Sequence, residues 1–181
     1  MTRYIALLRA INVGGRTIKM EVLRQHFEAL GLTKVETFIN SGNVIFETRA
    51  AKNSSLEKKI EAQLRQMMGY EVSAFVRTEP ELAAVAAYQP PFPPTPPEGA
   101  LYIAFIQAPL SAPVLQALAA ADTATDKFHA HHCEVYWWRA GRYSDSPLSA
   151  SGRFEKLLGV PTTVRKSTTV RSLAEKYPVK E

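Results

Sequence analysis

Two short polar segments hold the residues best suited to grip a ligand. Asn12-Val13-Gly14-Gly15 precedes a helical pattern, and Asn40-Ser41-Gly42-Asn43 separates two apolar runs. Glycine lets a backbone amide turn outward without a Cβ clash. Paired glycines before a helix can form a concavity that takes an anion. Arg9 and Lys19 flank the first segment and can add positive charge. The chemistry this suits is binding of a small anion or polar ligand by Arg9, Asn12, Gly14, Gly15, Lys19, Asn40, Ser41, Gly42 and Asn43. The same residue types also build ordinary tight turns.

A second candidate lies near the C-terminus. Arg165, Lys166 and Arg171 surround Ser167-Thr168-Thr169 where a last helical pattern begins. Cations and hydroxyls at a helix N-terminus suit a phosphate, with Arg165 and Thr168 as its ligands. The hydroxyls alone are equally explained as caps. His129, His131 and Cys133 alternate on one strand and so share a face. Their side chains are of zinc-ligand type, but the outer two lie roughly 13 Å apart on an extended strand, too far to share an ion. No metal is expected. Tyr136-Trp137-Trp138 can stack on nucleobases, but such residues more often fill a core, and the core reading is preferred. Neither half carries the basic-glycine-aromatic signature of the RNA-recognition motif. Phosphate-loop, dinucleotide, zincin and nucleophile-elbow motifs are absent from the sequence. The expectation is no cofactor, and a binding protein rather than an enzyme. An enzyme on a small polar substrate and an interaction or dimerisation module are the alternatives.

The chain of 181 residues carries 22 basic and 17 acidic side chains. The surplus is uneven: Met1–Trp138 holds 13 of each sign, whereas Arg139–Lys180 holds nine basic and three acidic. Such asymmetry attracts anionic partners, either a nucleotide-like molecule or nucleic acid. No apolar run approaches the roughly 18 residues of a membrane span, so no membrane partner is expected. Arg9 interrupts the apolar opening, which reads as a strand rather than a signal peptide. The one cysteine, Cys133, excludes an internal disulfide framework and points to a reducing, cytoplasmic compartment.

These residues need a scaffold, and periodicity supplies one. Arg3–Arg9 reads as a buried strand. Met20, Leu23, Phe27 and Leu30 repeat at helical spacing, and Gly31 ends that helix. Lys34–Asn40 and Asn43–Glu47 read as a hairpin. Ser54 with Glu57 forms a capping-box pattern before the helical face Leu56, Ile60, Leu64 and Met67. Glu71–Arg77 is a fourth strand, and Thr78 with Glu81 caps a short helix through Ala87. The proline-rich segment between Tyr88 and Gly99 then breaks regular structure. After it come a strand Ala100–Gln107, a helix from Ser111, and a hairpin of Lys127–His132 and Glu134–Arg139. A helix bearing Phe154, Leu157 and Leu158, a strand Thr162–Arg165 and a helix Thr168–Tyr177 complete the chain. The fold expected is α+β: two tandem ferredoxin-like βαββαβ halves with antiparallel or mixed sheets and a C-terminal helix. The expected boundaries are 1–88 for the first lobe, 89–99 for the connector and 100–181 for the second lobe.

This order places the candidate loops. A βαβ crossover makes the first two strands parallel, so the segments leaving them should reach one rim, beside the entry to the fourth strand near Gly69 and Tyr70. The residues on that rim also carry a resemblance. LLRAINVGG, Met20 and FINSGNVIF resemble the opening of the bacterial family of unknown function numbered 1697. That opening usually reads LLRGINVGG, so Ala10 stands where a glycine is usual. Thr162–Leu173 resembles the family's closing motif, with Lys166 and Ser167 in place of an Asn-Trp pair. The resemblance implies the two-part α/β fold and a bacterial cytosolic setting. It implies no reaction, cofactor or partner.

Overall fold

The structure, a computed structural model, describes residues 1–9, 11, 15, 17–39, 42–49, 51–150 and 152–180. The chain forms two compact units, Met1–Ala84 with Leu173–Glu181, and Val85–Ser172. The first unit runs β1 (Thr2–Leu8), α1 (Met20–Ala29), β2 (Thr33–Phe38), β3 (Asn43–Thr48), α2 (Asn53–Met68) and β4 (Ala74–Thr78). Helix α3 (Glu79–Ala87) starts in it. The second unit runs β5 (Ala100–Phe105), α4 (Ala112–Ala120), β6 (Asp126–His131), β7 (Glu134–Arg139), α5 (Arg153–Leu158) and β8 (Thr163–Lys166), followed by α6 (Ser167–Lys176). The sheets are ordered β2-β3-β1-β4 and β6-β7-β5-β8, the same permutation twice, with antiparallel neighbours throughout. The fold is thus α+β with two ferredoxin-like halves and a C-terminal helix, as expected.

Side-chain alternation explains the layers. Tyr4, Ala6 and Leu8 of β1 meet Leu23 and Phe27 of α1 and Leu56, Ile60 and Leu64 of α2 in one core. Ile5 and Leu7, on the opposite face, are also fully buried. A strand buried on both faces reads as a continuous apolar run, which is why IALL shows no alternation. In the second unit Ala104, Trp137, Leu118 and Phe154 form the corresponding core. Tyr136 and Trp138 are buried too, so the aromatic run is core rather than a stacking surface. No helix among the described residues is long and apolar enough to cross a membrane.

Two identical cap patterns had different fates. Thr78 and Glu81 form the expected reciprocal pair: the Thr78 amide donates to Glu81 Oε2 at 2.7 Å, and the Glu81 amide to Thr78 Oγ1 at 3.3 Å. Ser54 and Glu57 do not. Helix α2 starts after Lys52, without a side-chain cap, and the Glu57 carboxylate instead accepts from the Val76 amide at 2.9 Å.

The C-terminal segment closes the first unit. Tyr177 donates its hydroxyl to Glu36 Oε2 at 2.8 Å. Glu47, 3 % exposed, receives the Lys180 ammonium, the Lys34 ammonium at 3.0 Å and the Arg3 guanidinium at 3.8 Å. The Lys180 and Lys34 contacts hold the Glu47 carboxyl at about 2, against an ordinary 4.5. A carboxyl with a depressed folded pKa stabilises the fold above its unfolded pKa and loses that stabilisation as pH falls through the folded one. Denaturant stability should therefore drop between about pH 4.5 and 2. Glu47→Gln should be less stable at pH 7 and show a shallower acid slope in urea melts at stepped pH. An unchanged slope would rule this linkage out.

Candidate functional site

The rim at the end of β1 is assembled by backbone contacts. β1 and β2 both run antiparallel to β3 between them, so they are parallel to each other. Leu8 N donates to Gly42 O at 2.8 Å, and Arg9 N to Ser73 O at 2.9 Å. The exit from β1, the β2–β3 turn and the entry to β4 therefore share one end of the sheet. Gly42 has φ +75°, and a Cβ there would lie 3.1 Å from Leu8 Cβ and 3.2 Å from Ile11 Cβ. Only glycine lets these two segments approach so closely.

The expected ligand residues are distributed unevenly around this contact. Asn12, Gly14, Asn40 and Ser41 lie outside the described residues. Their chain neighbours Ile11 and Gly42 are within reach of one another. Gly15 has φ +78° with open space around it. Lys19 is exposed at the N-cap of α1, whose first amides receive no acceptor from its side chain. Arg9 is half-buried beside Ser73. Asn43 is fully buried and donates Nδ2 to Phe38 O at 2.9 Å, so its side chain closes the β2–β3 turn. The described candidates at the rim thus divide into exposed Lys19 and Gly15, half-buried Arg9, and an asparagine used by the turn.

The C-terminal candidates do not converge. Arg165 is buried in β8 and donates Nη1 to Thr163 Oγ1 at 2.7 Å and to Val164 O at 3.0 Å. Desolvation lowers its pKa to about 10, which leaves it protonated at neutral pH. Thr168 is exposed on the first turn of α6. The basic surplus is also partly consumed internally. Arg139 is buried against Asp126, and Lys180 sits on Glu47. Arg142, Lys156, Lys166 and Arg171 remain exposed.

Three features were not read from sequence. Tyr88, the last residue of the first lobe as bounded from sequence, stacks on His131 with ring centroids 3.9 Å apart, and its hydroxyl lies 2.7 Å from His129 Nε2. Burial, and then the neighbouring His131, lower the His129 pKa. Among the described residues no group of three His, Cys, Asp or Glu is arranged to hold a metal. The second feature is a half-open groove of about 440 Å³ between the β5–α4 and α5–β8 loops, lined by Pro109, Leu110, Val114, Leu158, Val160 and Pro161 among others. Its two loops, β5–α4 and α5–β8, correspond in element order to the β1–α1 and α2–β4 loops of the first unit. Two prolines in matching loops were its only sequence signal. The third feature is the pairing of Asp126 with Arg139, which joins residues from both strands of the second hairpin.

Residues 1–136 match the family described as "Protein of unknown function (DUF1697)". Among solved structures, the chain is similar to the conserved bacterial protein SP0830 from Streptococcus pneumoniae. The two are 25% identical with a TM-score of 0.74, over 97% of this chain and 98% of that one. No curated protein matches.

Proposed function

The chain belongs to the DUF1697 family, and on that premise we propose that it is a bacterial, cytoplasmic binding protein for a small anionic ligand. The site is the rim of the first half: Arg9, Asn12, Gly14, Gly15, Lys19, Asn40, Ser41 and Gly42. The observation that carries this reading is the pair of hydrogen bonds from Leu8 to Gly42 and from Arg9 to Ser73, which brings the loop exits together. Exposed Lys19 and the open glycine at Gly15 support an anion rather than an apolar ligand. Asn43, committed to its turn, is left out of the ligand shell. So are Arg165 and Thr168, one buried on its own strand and the other exposed.

Fluorescence titration with nucleotides and a short oligonucleotide, at low and moderate salt, tests the reading. Binding should weaken as salt rises. Lys19→Glu should weaken it about fivefold, the effect of one partly exposed ion pair. No binding of either probe at low salt would end the proposal.

A further inference from the structure

The proline-rich segment cannot be held by a backbone ladder. Six of the eight residues 90–97 are proline and carry no N–H. Phe92 N donates within the segment, to Pro90 O at 2.8 Å. Side chains therefore carry the fastening, and two aromatic residues supply it on the outer strand β6. Tyr88 stacks over His131 with ring centroids 3.9 Å apart, over His129 at 5.8 Å, and leans on Tyr136 at 5.0 Å. Phe92 meets the His129 ring edge-on at 6.4 Å. The Tyr88 hydroxyl lies 2.7 Å from His129 Nε2. All of these residues belong to the second unit.

That short contact sets a condition on His129. A neutral imidazole with its proton on Nδ1 accepts the Tyr88 hydroxyl at Nε2, whereas an imidazolium donates at both nitrogens and accepts at neither. Protonation therefore reverses the hydrogen bond. Most of the surroundings weigh against the added charge. His131 and Lys127 share the His129 face of β6, and His132 packs against the His131 ring at 4.2 Å. From β7, Tyr136 stands opposite His129 and Glu134 opposite His131. The end of α3 brings Val85, whose carbonyl accepts from the Tyr136 hydroxyl at 3.1 Å, and no charge. Next to His129 on the strand, the Phe128 amide donates to Asp122 Oδ1 at 2.9 Å. Glu134 and Asp122 favour the imidazolium, but burial and then His131 prevail and lower the His129 pKa from its ordinary 6.5. A histidine with a lowered folded pKa stabilises the docked arrangement fully above 6.5. That stabilisation is lost as pH falls below 6.5 towards the folded value.

We propose that Tyr88, Phe92, His129 and His131 form a proton-sensitive clasp that holds the proline-rich segment on β6 at neutral pH and releases it in mild acid. Its trigger is His129. Its moving part is the segment after Tyr88, which has no amide ladder to keep it in place.

Aromatic carbon–proton NMR of the full chain tests this, at pH steps from about 7.5 to about 5, the range in which histidine titrates. In wild type the Tyr88 and Phe92 ring signals should move towards free-chain positions together with the His129 titration. His129→Gln keeps an acceptor oxygen but takes up no proton, so its segment should stay docked across the range. Tyr88→Ala removes the clasp, and by linkage the His129 midpoint should then rise towards 6.5. Wild-type ring signals that stay fixed in acid overturn the proposal, and so does release of His129→Gln at the same pH as wild type. If His129→Gln fails to hold the segment at neutral pH, Tyr88→Ala decides. A raised His129 midpoint upholds the coupling, and an unchanged one refutes it.

Discussion

Asp126→Ala should lower the unfolding free energy by about 3–5 kcal/mol, the usual loss when one partner of a buried ion pair is removed. Asp126 and Arg139 are 4 % and 6 % exposed. Asp126 Oδ2 accepts from Arg139 Nη1 at 2.5 Å and from Ser146 Oγ at 3.3 Å, and Oδ1 accepts from Trp137 Nε1 at 2.7 Å. Arg139 also donates Nε to Arg142 O at 3.0 Å, fastening the segment after β7. Removing the carboxylate would leave a guanidinium and an indole N–H buried without their acceptor. The second substitution separates this cause from simple loss of packing. Arg139→Met added to Asp126→Leu removes both charges, and should recover much of what either change alone loses. Denaturant unfolding of wild type, Asp126→Leu, Arg139→Met and the double variant closes the cycle. A single-variant loss below about 1 kcal/mol would place the pair in solvent rather than in the core.

Asp126 also shows which part of this protein could be read in advance. Leu23 and Phe27 announced α1 because their contacts repeat within a few residues of chain. Thr78 and Glu81 announced a cap for the same reason: donor and acceptor are three positions apart. Glu57 carries the same pattern relative to Ser54, yet its carboxylate accepts from the amide of Val76, 19 residues away. Nothing local distinguishes the two cases, because the deciding partner arrives only when β4 docks beside α2. Arg165 is similar. In sequence it lies among cations and hydroxyls, which suits a phosphate, but in the fold its guanidinium is turned onto the carbonyl of Val164. Local patterns therefore placed the strands, helices and the common rim. The roles of single charged residues depended on contacts that strand order alone does not specify. One cue was present: Val-Arg recurs in the outer strand of each half. It becomes meaningful only once β4 and β8 are seen to be equivalent.

Gly42→Val should cost about 2–5 kcal/mol and disable the proposed rim at the same time. Two penalties combine. At φ +75° a side chain meets its own backbone, worth about 1–2 kcal/mol. Its Cβ would also stand 3.1 Å from Leu8 Cβ and 3.2 Å from Ile11 Cβ, and overpacking of that kind adds about 1–3 kcal/mol. Gly15→Ala is the control. Its φ is +78°, but nothing lies within 4 Å of the added carbon, so only the backbone penalty applies. Thermal and urea unfolding should rank Gly42→Val well below Gly15→Ala, with Gly42→Ala between them. The ligand titration should follow a different order. Gly15→Ala alters an exposed loop whose amides are proposed to face the anion, so it should weaken binding while sparing most of the stability. Gly42→Val should weaken binding by pushing the β1 exit away from the β2–β3 turn, even under conditions where the variant remains folded. If Gly42→Val proves as stable as wild type, the two segments do not meet as described, and the shared rim, together with the ligand site built on it, is lost.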